Sequence, residues 1–412
     1  MAIKVLKNIR PLNVALGVLA LASCTYDETV SVYPVEVALQ EKIAGVDVAL
    51  TNNTGRTFSA KTDSVGVATL SLPAGIYSAS VSSVSQDEYF KKTYNGSLSD
   101  IIVGAGTNRI SMPVTVTLMQ TACPLVIKEV YNGGCAKDDG SGSFLFDKCI
   151  IIYNQSAEPV SLNRVGFAMA DPYNAESGSH LFLQNGILSY EAEDWIPAIH
   201  GIWYFQDGNT IAPYTELVVN VCGAIDNTKT YKNSINYANP AYYCMYDVES
   251  ASPNGDRYSN TSYYPSPAEV IPTSHYLKTA RYGKGNAWPF SVTSPALMMF
   301  QTDSTATPAA FANNTQNITY SPTKEGNIVY AQLKLPRKWV VDGVEVYNSN
   351  KLADCKKRLT PDIDNGHVNL TNQLGHALIR RIERYTADGH PIYQDTNNST
   401  NDFYEADKCS LR

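Results

Sequence analysis

Six histidines, His180, His200, His275, His367, His376 and His390, are the residues best suited to metal or proton chemistry. They are scattered, and their spacing suggests no metal site. The chain has no Gly-x-Ser-x-Gly elbow, no His-Glu-x-x-His and no glycine-rich phosphate loop. The 39 acidic residues can be paired almost anywhere, so carboxylate pairs carry no weight alone. The expectation is a non-enzyme with no cofactor; a hydrolase with an unfamiliar site is the minor alternative.

Three other groups of residues could do chemistry. The oxygen-rich run Asp395-Thr396-Asn397-Asn398-Ser399, with Asp402, could surround a calcium ion. It lacks the fixed ligand ladder of a calcium loop, and Asp and Asn in such runs more often bond the backbone of a turn. Beyond Cys24 stand seven cysteines, an odd number and without Cys-x-x-Cys spacing. Cys135 with Cys149, and Cys222 with Cys244, are the pairs that would close modest loops. Between Cys222 and about Asn286 lies a Tyr-rich insertion, residues 222–286. Tyr237, Tyr242, Tyr243, Tyr246, Tyr263 and Tyr264 there are candidates for protein or glycan contact. Tyrosine offers flat, partly polar area at little entropic cost. The competing reading is that these rings pack long loops across one end of a sandwich.

The elements that must position these residues begin with the leader. Lys4, Lys7 and Arg10 precede an apolar stretch from Val14 to Leu21, too short to span a bilayer. Leu21-Ala22-Ser23-Cys24 then resembles the lipobox of bacterial lipoproteins. That resemblance implies a signal peptide over residues 1–23, lipidation of Cys24, and a tether over 24–36 that holds the protein to a membrane. Asp27 and Glu28 resemble the surface-export signal of Bacteroidota-type lipoproteins, so the expected location is the outer membrane, facing the cell exterior. Loss of residues 1–23 removes three cations and no acid, taking the formal charge from −7 to −10. An acidic chain without a basic footprint is a poor binder of nucleic acid.

With 27 tyrosines, many Thr, Ser, Val and Ile, and Gly and Pro spread throughout, the composition predicts an all-β protein. From 37 to 119 the alternation of Val46 to Leu50, Val67 to Leu70, Ser78 to Val84 and Ser111 to Leu118 predicts a small antiparallel sandwich. Thr62-Asp63 with Gly66, then Leu72, Gly75 and Tyr77, resemble the carboxypeptidase regulatory-like, or prealbumin-like, domain. Asp should cap the turn, Gly should take the positive φ, and Tyr should pack on the sheet. That resemblance implies a spacer and not catalysis.

From 120 to 412 the chain resembles an immunoglobulin-like sandwich of the lamin-tail-like type. The residues that carry this are Glu129-Val130, Tyr153-Asn154 and Pro159-Val160-Ser161-Leu162. The whole arrangement resembles a Bacteroidota lipoprotein family of unknown function, on Ala224-Ile225-Asp226-Asn227, Trp339 to Glu345, Lys357-Arg358-Leu359, Asp362 to Gly366 and 395–403. Asp303-Ser304-Thr305 resembles the short O-glycosylation motif of Bacteroidota and marks Ser304. What these resemblances imply is a non-catalytic binding or accessory lipoprotein, with an outer-membrane transporter of the TonB-dependent kind, a protein or a glycan as partner. A structural or adhesive, fimbria-associated protein is the alternative.

Overall fold

The computed structural model describes residues 31–86, 90–106, 108–120, 123–177, 187–251, 253, 264–283, 290–303, 305–322 and 324–412. Cys24, Ser304 and Tyr263 lie outside them. The fold is all-β, with helices of at most a turn or two.

The N-terminal part is two sheets enclosing one core. A three-stranded sheet places Val32–Leu39 between Val67–Pro73 and, in parallel, Asn108–Met112. A five-stranded sheet runs Thr57–Lys61, Asp47–Asn52, Gly75–Gln86, Phe90–Val103, Thr115–Gln120. Every second residue points inward, so Val35, Val37, Val48, Leu50, Leu70, Leu72, Ala79 and Val81 form the core. The turn behaves as its residues predict. Asp63 Oδ1 accepts from the amides of Val65 and Val67, each at 2.9 Å, and Gly66 sits at φ +81°. The Tyr77 ring is buried and its hydroxyl donates to Pro73 O at 2.9 Å. Two expectations need correction. The residues from Val32 onward, read as tether, are already a strand, because Val35 and Val37 alternate into the core. The expected strand from Ser111 to Leu118 is two, split at Pro113, which has no amide hydrogen for a ladder.

The C-terminal part is organised by one twelve-stranded sheet. From one edge it runs Val368–Leu370, Val340–Asn348, Ala296–Gln301, Val165–Met169, Gly201–Tyr204 and Tyr276–Arg281. It continues through Tyr243–Met245, Glu216–Asn220, Cys149–Asn154, Leu125–Tyr131 and Ala377–Arg380 to Phe403–Ala406. So wide a sheet must curl, and here it curls until its two ends share one interior. Val344, Val346 and Leu370 from one end lie in the same core as Leu125, Ile127, Leu378 and Phe403 from the other. On the outer face, the sheet of Trp195–Ile199, Ala331–Pro336 and Ile318–Tyr320 covers Ala168, Ile202, Met298 and Phe300.

Where the curled ends meet, the backbone ladder stops, and buried carboxylates stand in for it. Asp342 accepts the amide of Ile127 at 2.7 Å and pairs with the guanidinium of Arg380. Glu345, fully buried, accepts the amides of Arg358 and Leu359 at 2.9 Å and pairs with the Arg358 guanidinium at 2.7 Å. Asp364, also fully buried, accepts the amides of Glu345, Gly366 and Ser399 at 2.8–2.9 Å. A carboxylate has room for about four such bonds, and these three use theirs on orphaned amides. The two parts of the chain also touch here: Asn95 Nδ2 lies 3.3–3.4 Å from the carbonyls of Pro361, Thr396 and Asn397.

Removing one member of a buried ion pair strands the other without water. The Arg358→Met variant, which leaves Glu345 uncompensated, should lose about 3–5 kcal/mol in urea unfolding. A cost below about 1 kcal/mol would show that the pair does not hold the seam.

Candidate functional site

The Tyr-rich insertion is turns and loops over most of its described length, interrupted by two strands. Its segments Tyr243–Met245 and Tyr276–Arg281 enter the central sheet, and Val219 pairs with Tyr243, and Cys244 with Tyr276, in parallel. Ala224, Ile235, Tyr237 and Ile271 of the insertion lie over the outer face of that sheet, with Tyr131, Cys149, Ile151 and Val218. Three of the five described tyrosines singled out for contact are interior. Tyr237, Tyr243 and Tyr264 are buried; Tyr242 and Tyr246 are half-buried, and Tyr246 meets the Tyr276 ring edge-on. Burying ring area repays ordering a polar segment, and that use has taken the rings away from solvent.

A cleft of about 180 Å³ opens beside the insertion, lined by Thr210, Thr215, Glu216, Ala241, Tyr243 and His275. The His275 ring stacks on Tyr243, centroids 4.0 Å apart and planes 12° from parallel. His275 Nδ1 donates to Tyr242 O at 3.1 Å, a bond that assigns the proton to Nδ1, since a carbonyl only accepts. The turn bearing His275 is pinned by amides of neighbouring side chains. Gln206 Nε2 donates to the carbonyls of Thr273 and Tyr276, and Asn209 Nδ2 to that of Ser274. Asn209 Oδ1 also takes the Tyr243 hydroxyl at 3.1 Å, so one residue holds both rings.

A second stack involves the chain neighbour of the lining residue Thr215. Tyr214 stacks on His390 at 4.4 Å, planes 7° apart, and its backbone is held at φ +52°, a strained region for a non-glycine residue. Glu216 pairs with Lys128. Burial disfavours the Lys128 charge, but the Glu216 carboxylate more than offsets it and the ammonium pKa rises. The His275–Tyr243 stack and the Glu216 carboxylate thus line one cleft, a surface able to receive a ring and to hydrogen-bond its substituents. Of these lining residues the sequence singled out Tyr243 only; Glu216 and His275 are brought to it by sheet pairings between distant segments and have no local signature.

The other expected sites fall elsewhere. Asp395 and Asp402 do not frame a calcium loop. Arg380 takes the cationic place, 3.4 Å from Asp395 and 3.8 Å from Asp402, while Asp402 also accepts the Thr396 amide at 2.9 Å. Burial raises the Asp402 pKa, Asp395 adds to the rise, and Arg380 opposes it. Neither of the two expected cysteine pairs is joined. Cys222 lies in the inner core and Cys244 in the outer layer, so the sheet stands between them. Cys135 is turned instead toward Ser234 Oγ, 3.4 Å away.

Comparison with known proteins agrees with this architecture. Residues 212–410 match the model of a family described as protein of unknown function (DUF4876). The fold is similar to the crystal structure of a DUF4876 family protein from Bacteroides thetaiotaomicron, with a TM-score of 0.55 and 21% identity. The likeness covers 92% of this chain and 96% of that one. Among curated proteins none matches.

Beneath the insertion, Asp147 is buried, with the Tyr131 hydroxyl donating to it at 2.9 Å and the Ile235 amide at 3.4 Å. Burial pushes its pKa up from 3.8 to about 6. A raised carboxyl pKa means that the folded state holds the proton longer than the unfolded chain. Its stabilising contribution is complete below the unfolded pKa and is lost as pH rises through the folded one. Urea midpoints should therefore fall between about pH 4 and 6, and Asp147→Asn should flatten that slope. An unchanged slope in the variant would assign it to other groups.

Proposed function

We propose that this chain is a non-catalytic binding lipoprotein of a bacterial envelope, tethered through Cys24, whose Tyr–His cleft holds one unit of a glycan chain. The observation that carries the binding reading is the His275–Tyr243 stack beside Glu216 in the cleft. Aromatic faces accept the apolar side of a sugar ring, and a neighbouring carboxylate accepts its hydroxyl protons. The cleft is smaller than the roughly 300 Å³ at which pockets for whole small molecules begin, which favours one unit of a longer chain laid across the surface. The pinned turn and the Asn209 bond to the Tyr243 hydroxyl keep the rings in place before any ligand arrives, lowering the entropic cost of binding.

A role beside a TonB-dependent transporter is part of this proposal and rests on family resemblance alone. The acyl anchor rests on the residues around Cys24. The non-catalytic reading is supported by the deeply buried carboxylates Asp342, Glu345 and Asp364, which are engaged with guanidinium groups or backbone amides.

Two measurements test the proposal. Binding of purified envelope and host-type polysaccharides, measured by calorimetry, should weaken at least about tenfold, or 1.4 kcal/mol, in His275→Ala and in Glu216→Gln. Equal binding by wild type and both variants would remove the cleft from the function. In cell fractionation the wild type should sediment with membranes and Cys24→Ser should not; co-sedimentation of the variant would remove the lipid anchor.

A further inference from the structure

We infer that Cys149 and Cys409 form a disulfide that locks the C-terminus of the chain onto the central sheet. Both thiols are buried in one cluster on the outer face of the sheet, and Cys409 lies in hydrogen-bond contact with Cys149. The backbone places them together independently of that contact. Ile151, two residues along the strand from Cys149, pairs with Glu129, and the Glu129 carboxylate accepts the amide of Ser410, the residue after Cys409, at 2.9 Å.

Competing partners are excluded by register. Cys244 shares the cluster, but Cys149 pairs with Asn220 and Asn220 pairs with Cys244. The two residues are therefore two strands apart, about 9–10 Å at the usual strand spacing, beyond the roughly 7 Å limit for a bridge. Cys222 belongs to the inner core. Burial raises the Cys409 thiol pKa well above its ordinary value and leaves little thiolate once the chain has folded. The bond consequently forms during folding, before the C-terminal segment is sealed.

The oxidant is a small or protein disulfide. One cysteine thiolate attacks it and releases one thiol, giving a mixed disulfide. The second thiolate then attacks the protein sulfur and releases the second thiol. Two protons pass to the leaving thiolates, the protein loses two hydrogens, and the oxidant is reduced to two thiols.

The test uses the full chain, reduced, unfolded, and refolded in a buffer of reduced and oxidised glutathione. Free thiols are then alkylated without reduction, and the digest is read by mass spectrometry. The expected product is a cross-linked pair of peptides containing Cys149 and Cys409, with the other cysteines alkylated. The oxidised protein should melt at a higher temperature than the reduced one, and Cys409→Ala should abolish that difference. If Cys409→Ala fails to fold, Cys149→Ser supplies the same comparison. Alkylation of both Cys149 and Cys409, or a link from either to Cys244, overturns the assignment. Refolding in vitro needs neither export nor a ligand, so the outcome is separate from that of the binding proposal.

Discussion

The fold depends on carboxylates that serve as backbone acceptors where a curled sheet runs out of partners. Twelve strands cannot remain open and flat, and curling brings edges together at angles that a regular ladder does not bridge. Asp342 and Glu345, three residues apart on one strand, meet this mismatch from a single element. Their charges would be costly alone in such a dry place. Arg380 and Arg358 neutralise them, and each guanidinium also reaches backbone carbonyls, those of Ile127 and Pro172. The arrangement is specific in a way that apolar packing is not, because each carboxylate meets a named amide and a named guanidinium.

The cleft is a by-product of the same economy of strands. The insertion supplies two parallel strands, and the segments around them cover the outer face. Tyr237 is spent on that cover, while Tyr243 belongs to the sheet and lines the cleft. The cleft lies at the margin, where Asn209 and Gln206 clamp the His275 turn. A rigid margin on a well-packed support is the usual place for recognition.

The all-β class and the turn at Asp63 and Gly66 were legible from residue types, because alternation and turn chemistry are local. The strand Val67–Pro73 and the buried Tyr77 follow from the same local rules. The seam was half legible. The runs Trp339 to Glu345, Lys357-Arg358-Leu359, Asp362 to Gly366 and 395–403 stand out as motifs, but nothing in them says that Glu345 will face Arg358. That needs the curl of the sheet. The calcium reading failed for the same reason: the cation among those acids is Arg380, fifteen residues upstream of Asp395. The insertion misled because Asn, Pro and Ser around Tyr243–Met245 suggest loops, while its strand pairing is decided by Val219 and Tyr276, far away in the chain.

The contact of Asn95 with the carbonyls of Pro361, Thr396 and Asn397 has a mechanical meaning. Asn397 Nδ2 returns the grip by donating to Thr93 Oγ1 at 3.5 Å, and it also donates to Asp362 O at 2.9 Å, from a residue held at φ +52°. Any load entering at the N-terminal end reaches the larger part through this junction as well as through the covalent connection. Its far side carries the Arg380–Asp402 pair. A pull on the smaller part therefore has a second route into the buried charges of the larger one, beside the peptide chain itself.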